Sequence, residues 1–153
     1  MNIICTWGNE QPNDRQSARV SLDDVFCMEY KAALTTLYDE LNTYSNVARE
    51  MGIKDPYKEE KDIIAFLRNY VNEGYCDLQY LHLRYIKAGI LLRVQHIVKK
   101  RDELSKERFI PQRILDAVDK EINRLATLAE HGVLKNLRPT EVFFELDPVI
   151  QGQ

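Results

Sequence analysis

"YLHLRYIKAGILLRVQHIVKK", residues 80–100, is apolar enough for a core helix yet carries His82, His96 and a run of cations. At about 100° per residue, Leu78, Leu81, Tyr85, Ala88 and Leu92 share one face, and Leu83, Ile86, Ile90, Val94 and Ile97 share a second. A helix apolar on two sides is expected to be central. Between the two faces runs a line of His82, Gly89, Arg93, His96 and Lys100, while Arg84, Lys87, Leu91, Gln95 and Val98 fill the opposite gap. Glycine inside a helix costs about 0.5–1 kcal/mol relative to alanine, so Gly89 predicts a close approach by a backbone or a ligand.

Three further helices are expected around this one. "SLDD" offers Ser21 as a cap, and Phe26, Tyr30, Ala33, Leu37, Leu41, Tyr44, Ala48 and Met51 follow helical spacing up to Gly52. Asp55 as cap and Pro56 at the first turn predict a second helix with Ile63, Leu67, Tyr70 and Val71 inward. The third is expected to start near Cys76 or Asp77. The fourth follows Pro111, with Ile114, Val118, Ile122, Leu125 and Ala129 on one face and His131-Gly132 at its close. Short loops between long helices predict an all-α fold, an up-and-down bundle of about four helices, two of them long. Its ends read as extended or short-strand segments, since "TEVFFELD" alternates apolar and acidic residues and could pair with "MNIICTW". One helical domain over 1–153 is expected, with an extended arm at 1–20, the bundle at 21–132 and a C-terminal tail at 133–153.

With 153 residues, 44% of them hydrophobic and 29% charged, the chain has the balance of a soluble globular protein. Cys5, Cys27 and Cys76 are odd in number and widely spaced, which suits a reducing compartment and no disulfide framework. No stretch has the ~18 uncharged apolar residues of a membrane span, and the N-terminus lacks a signal pattern, so a cytoplasmic protein with no membrane partner is expected. The net charge of −3 is unevenly spread: residues 76–101 carry 6 Lys/Arg against 1 Asp/Glu, between two acidic flanks. That asymmetry points to His82, Arg84, Lys87, Gly89, Arg93, His96, Lys100 and Arg101 as candidates for ligand or partner binding. Glu29 and Glu40, at the border of the first helix's apolar face, are the acids placed to neutralise Arg93 and the histidines instead.

Metal and cofactor chemistry find little purchase. No Glu-x-x-His, His-Glu-x-x-His or EF-hand spacing occurs, and His82 and His96 stand about 21 Å apart along a helix at 1.5 Å per residue. Neither a metal nor a cofactor is therefore expected. Gly-rich phosphate loops and Gly-x-Ser-x-Gly are likewise missing. One catalytic pattern has a partial match: "RVQH", Arg93 to His96, resembles the Arg/His pair that helical nucleases of the HEPN kind carry on one helix. The resemblance implies a dimeric ribonuclease, with His96 carrying a proton and Arg93 stabilising phosphate charge. Here two residues separate the pair and Val94 follows the arginine, whereas the family has four to six and a polar residue.

Surplus apolar surface favours a non-catalytic helical interaction or assembly module that binds a protein partner or itself as a homo-oligomer. The tail "VFFELDPVI" adds Phe143 and Phe144 to that surface. A nucleic-acid backbone bound by the basic third helix is the alternative, and a HEPN-like ribonuclease the second alternative.

Overall fold

The computed structural model describes residues 11–141. Four helices dominate: α1 (Asp24–Glu50), α2 (Lys58–Tyr70), α3 (Tyr80–Glu107) and α4 (Gln112–Ala129), the last followed by a 3-10 turn at Gly132–Leu134. A two-stranded antiparallel sheet joins β1 (Ser17–Leu22) to β2 (Gly74–Gln79), with Ser17 opposite Gln79 and Leu22 opposite Gly74. The sheet corrects one sequence expectation: residues 74–79 are a strand rather than the start of the third helix, and they pair with Ser17–Leu22. The physical reason is period two: Cys76 and Leu78 point inward while Tyr75 and Asp77 point out, and Val20 and Leu22 do the same on β1. Arg19 caps the outer face by stacking 4.9 Å over Tyr75.

Ser21 therefore sits inside β1, and the cap of α1 is Asp23, whose carboxylate accepts from the Phe26 N–H at 2.8 Å. The sheet also starts α3. Lacking a side-chain cap, this helix satisfies two of its first N–H groups on the N-terminal segment, Tyr80 on the Gln16 carbonyl and Leu81 on that of Asp14.

Asp55 keeps an organising role although α2 begins three residues later. Its carboxylate accepts from the Tyr57 N–H at 2.9 Å and from the Ser45 hydroxyl at 2.8 Å, and it pairs with Lys61 at 2.8 Å. Burial pushes its pKa up, but the hydrogen bonds from Lys61, Tyr57 and Ser45 outweigh that and bring it from 3.8 to about 2. A depressed carboxylate contributes stability that is present above its unfolded pKa and is lost as the pH falls through the folded one. Asp55→Asn is expected to lower stability at neutral pH by about 1–2 kcal/mol. Chemical denaturation from pH 7 to 2 should show a shallower acid loss for the variant, and parallel curves would refute the assignment.

One buried cluster draws on every element: Leu22 and Leu78 from the sheet, Leu34, Leu37 and Leu41 from α1, Ile64 and Leu67 from α2, Leu83, Ile86 and Ile90 from α3, and Leu125 from α4. Each such side chain contributes about 1.5–3 kcal/mol by leaving water. Helix α3 contacts both α1 and α4, and α2 packs on α1. The residues expected to form a tail from 133 onward do not all hang free: Leu134, Leu137 and Thr140 are buried. "TEVFFELD" beyond Glu141 and its pairing with "MNIICTW" lie outside the described residues. Among those described, no helix is long and apolar enough to cross a membrane.

Candidate functional site

Of the line His82-Gly89-Arg93-His96-Lys100, the stretch from Gly89 to His96 faces α1 where the two helices cross, and Lys100 lies beyond the crossing. Gly89 is buried, and a Cβ built on it would lie 2.2 Å from the Ala33 carbonyl oxygen. Close backbone approach thus accounts for the glycine, and the occupant is α1 rather than a ligand. On one side of this contact Arg93 donates to Glu29 at 2.9 Å, and on the other His96 Nε2 lies 3.5 Å from Glu40. These are the two acids that the sequence set at the border of the α1 face.

Glu29 is the hub of a small network. Arg124 of α4 also pairs with it, and Arg124 in turn holds Glu121 at 2.7 Å. Burial raises the Glu29 pKa, yet the hydrogen bonds from Arg93 and then Arg124 outweigh it, so the carboxyl stays below its usual range. Beside this network, Phe26 stacks on His131 at 5.0 Å, and the two border a cavity of about 300 Å³ with Glu29 and Arg124. His82, further toward the helix start, is half-buried with Nδ1 lacking a hydrogen-bond partner among the described residues, and burial lowers its pKa.

The opposite gap ties the chain ends to α3. Arg84 grips both oxygens of Asp14 at 2.9 and 3.0 Å and donates Nε to the Arg138 carbonyl, while the Thr140 N–H bonds the Arg84 carbonyl. Lys87 is fully buried, with Nζ 2.8 Å from the Leu134 carbonyl and 2.7 Å from Glu130. Lys87 and Gly89 accordingly present no surface to a partner. Arg101 pairs with Asp119 at 3.1 Å. Lys100 is exposed and makes no ion pair among the described residues. Phe143 and Phe144 lie outside those residues.

Beyond the crossing, the seam between α3 and α4 is open. A trough of about 400 Å³ is lined by Ile97, Leu104 and Val118, with His96, Lys100 and Arg101 along its rim. All of its lining comes from α3 and α4. Neither Leu104 nor Val118 stands out as a site residue in the sequence, where Val118 falls on the apolar face of the fourth helix. Among the described residues, no group of three or more His, Cys, Asp or Glu is placed to hold a metal ion.

Among the described residues, the site thus belongs to a four-helix protein that has an apolar trough between α3 and α4 with basic residues at its rim. No family model, curated protein or solved structure matches the chain.

Proposed function

We propose that this chain is a non-catalytic helical protein–protein interaction or assembly module that docks its partner in the α3–α4 trough. One observation carries the proposal: no residue between Leu92 and Leu125 is fully buried, although the intervening arm contains Val94, Ile97, Val98, Leu104, Ile114, Leu115, Val118 and Ile122, of which Val94 and Ile97 pack partly against the core. Phe109, at its tip, is 87% exposed and Ile114 is 45% exposed. Two helices alone leave one side of their apolar seam open, and an amphipathic segment laid in the groove is the general way to close it.

An up-and-down order of the four helices belongs to the same proposal. Contacts between Cys27 and Val71, Tyr38 and Arg68, and Ser45 and Asp55 support an antiparallel α1–α2 pair. Those of Lys87 with Glu130 and Arg101 with Asp119 do the same for α3 and α4.

Nucleic-acid binding has less support, because Arg84, Lys87, Arg93 and Arg101 already face acids, which leaves only two of the six Lys/Arg of residues 76–101, Lys99 and Lys100, for phosphate. The ribonuclease alternative loses ground for the same reason, since the Arg93 guanidinium is engaged by Glu29. A photo-reactive residue at Val118, in the living cell, tests the docking surface. Protein adducts of discrete mass are expected there and not at Asn42 on the polar face of α1; none at Val118 would refute the proposal.

A further inference from the structure

The rim and the reach of the chain together point to an occupant for the trough. Of the residues on its rim, Arg101 is neutralised by Asp119 and His96 faces Glu40, whereas Lys100 makes no ion pair among the described residues. An acidic, apolar segment suits such a site. The chain carries one: after Thr140 come Glu141, Val142, Phe143, Phe144, Glu145, Leu146 and Asp147, with no Lys or Arg from there to Gln153.

The same copy cannot deliver those phenylalanines to its own trough. Thr140 is pinned at the start of α3 by its N–H bond to the Arg84 carbonyl. From Arg84 to Ile97 is about 20 Å along the helix, and to Leu104 about 30 Å, at 1.5 Å per residue. Phe143 and Phe144 follow Thr140 by three and four residues, a reach of at most ~10–14 Å at 3.3–3.6 Å per residue. Residues from Leu146 onward span ~20 Å or more and can reach the trough, whereas a second copy can also seat the phenylalanines along it.

We infer that the segment Val142–Ile150 of one copy occupies the α3–α4 trough of another, and that the exchange is reciprocal about a two-fold axis. The interface is then isologous and closed, so the product is a dimer rather than a filament. Phe143 and Phe144 would supply the apolar contact with Ile97, Leu104 and Val118, while Glu145 and Asp147 would meet Lys100. This inference rests on the trough being a protein-docking surface and adds the identity of the partner.

The test is light scattering behind size exclusion on the full chain, across a series from ~1 to ~100 µM, a range that captures micromolar association. Wild type is expected to show twice the chain mass. A Phe143→Ser/Phe144→Ser variant and a Val118→Asp variant, each with unchanged helical circular dichroism, are expected to be monomeric. Their equimolar mixture should dimerise, because the intact tail of the second fits the intact trough of the first. Lys100→Glu changes only an exposed side chain, so it is expected to fold normally and to raise the dimer dissociation constant about fivefold. Wild type at single-chain mass throughout the series, or a dimer that survives loss of both phenylalanines, would overturn the exchange. Adducts at Val118 that contain only a different protein would also overturn it, yet would leave the interaction module standing.

Discussion

Gly89→Ala is expected to destabilise the protein by about 2 kcal/mol or more, since overpacking costs typically 1–3 kcal/mol and here the obstacle is backbone. The added methyl would meet the Ala33 carbonyl oxygen at 2.2 Å and its carbon at 2.6 Å, and neither can rotate away. Alanine returns about 0.8–1.0 kcal/mol of helix propensity, which is too little to offset separation of α1 from α3. For a chain of this size the melting temperature should fall by about 4–8 °C, at roughly 2–4 °C per kcal/mol. Ala33→Gly is not expected to rescue the variant, because the severe clash is with the carbonyl and the Ala33 Cβ lies at 3.0 Å. A wild-type melting temperature for Gly89→Ala would show that the helices do not cross there.

Lys87 carries the second large effect, and two substitutions separate its contributions. Its stem fills core volume and its ammonium satisfies the Leu134 carbonyl and Glu130. Lys87→Met keeps most of the volume and leaves the carbonyl without its donor, an expected cost of about 1–3 kcal/mol. Lys87→Ala also opens a cavity, for a total of about 3–5 kcal/mol. The ionic share is small, since Glu130 is 43% exposed and screened by water. Equal losses for the two variants in urea denaturation would refute a packing role for the stem. Because Leu134 leads directly to the segment that Arg84 holds, local protection of residues 134–140 in hydrogen exchange is expected to fall with either change.

Much of this architecture was legible because it is local. The α4 periodicity, the glycine stop at Gly52 with φ +77°, and the two apolar faces of α3 all follow from spacing within one element, whereas α4 ends at Ala129 and Gly132 opens the 3-10 turn instead of stopping the helix. Glu29 and Glu40 could be named as partners because a helix face confines the acids that can meet a cation. The sheet was not legible, for a physical reason. Leu78, Leu81 and Tyr85 continue a helical spacing back into β2, and a strand with two inward residues carries too little signal to compete. Its partner lies more than fifty residues away in β1, and such pairing is a tertiary outcome.

The trough was hidden for a related reason. Ile97, Leu104 and Val118 are apolar residues at inward positions, and nothing in their own helices says that α1 leaves them uncovered. Gly89 came closer, since an interior glycine announces an approach without saying by what. The charges of residues 80–100 likewise divide into those that hold the fold, Arg84, Lys87 and Arg93, and a remainder around Lys100 that borders the open surface.

Photo-crosslinking from Val118 addresses the central claim most directly, because it reports what touches the trough floor without presuming the occupant. The expected result is one protein adduct of discrete mass, at twice the chain mass if a second copy fills the trough, and weakened rather than abolished by Lys100→Glu, in line with its about fivefold effect on association. Absence of any protein adduct at Val118, or the same adduct pattern from Asn42, would contradict the assignment of the α3–α4 trough as a docking surface.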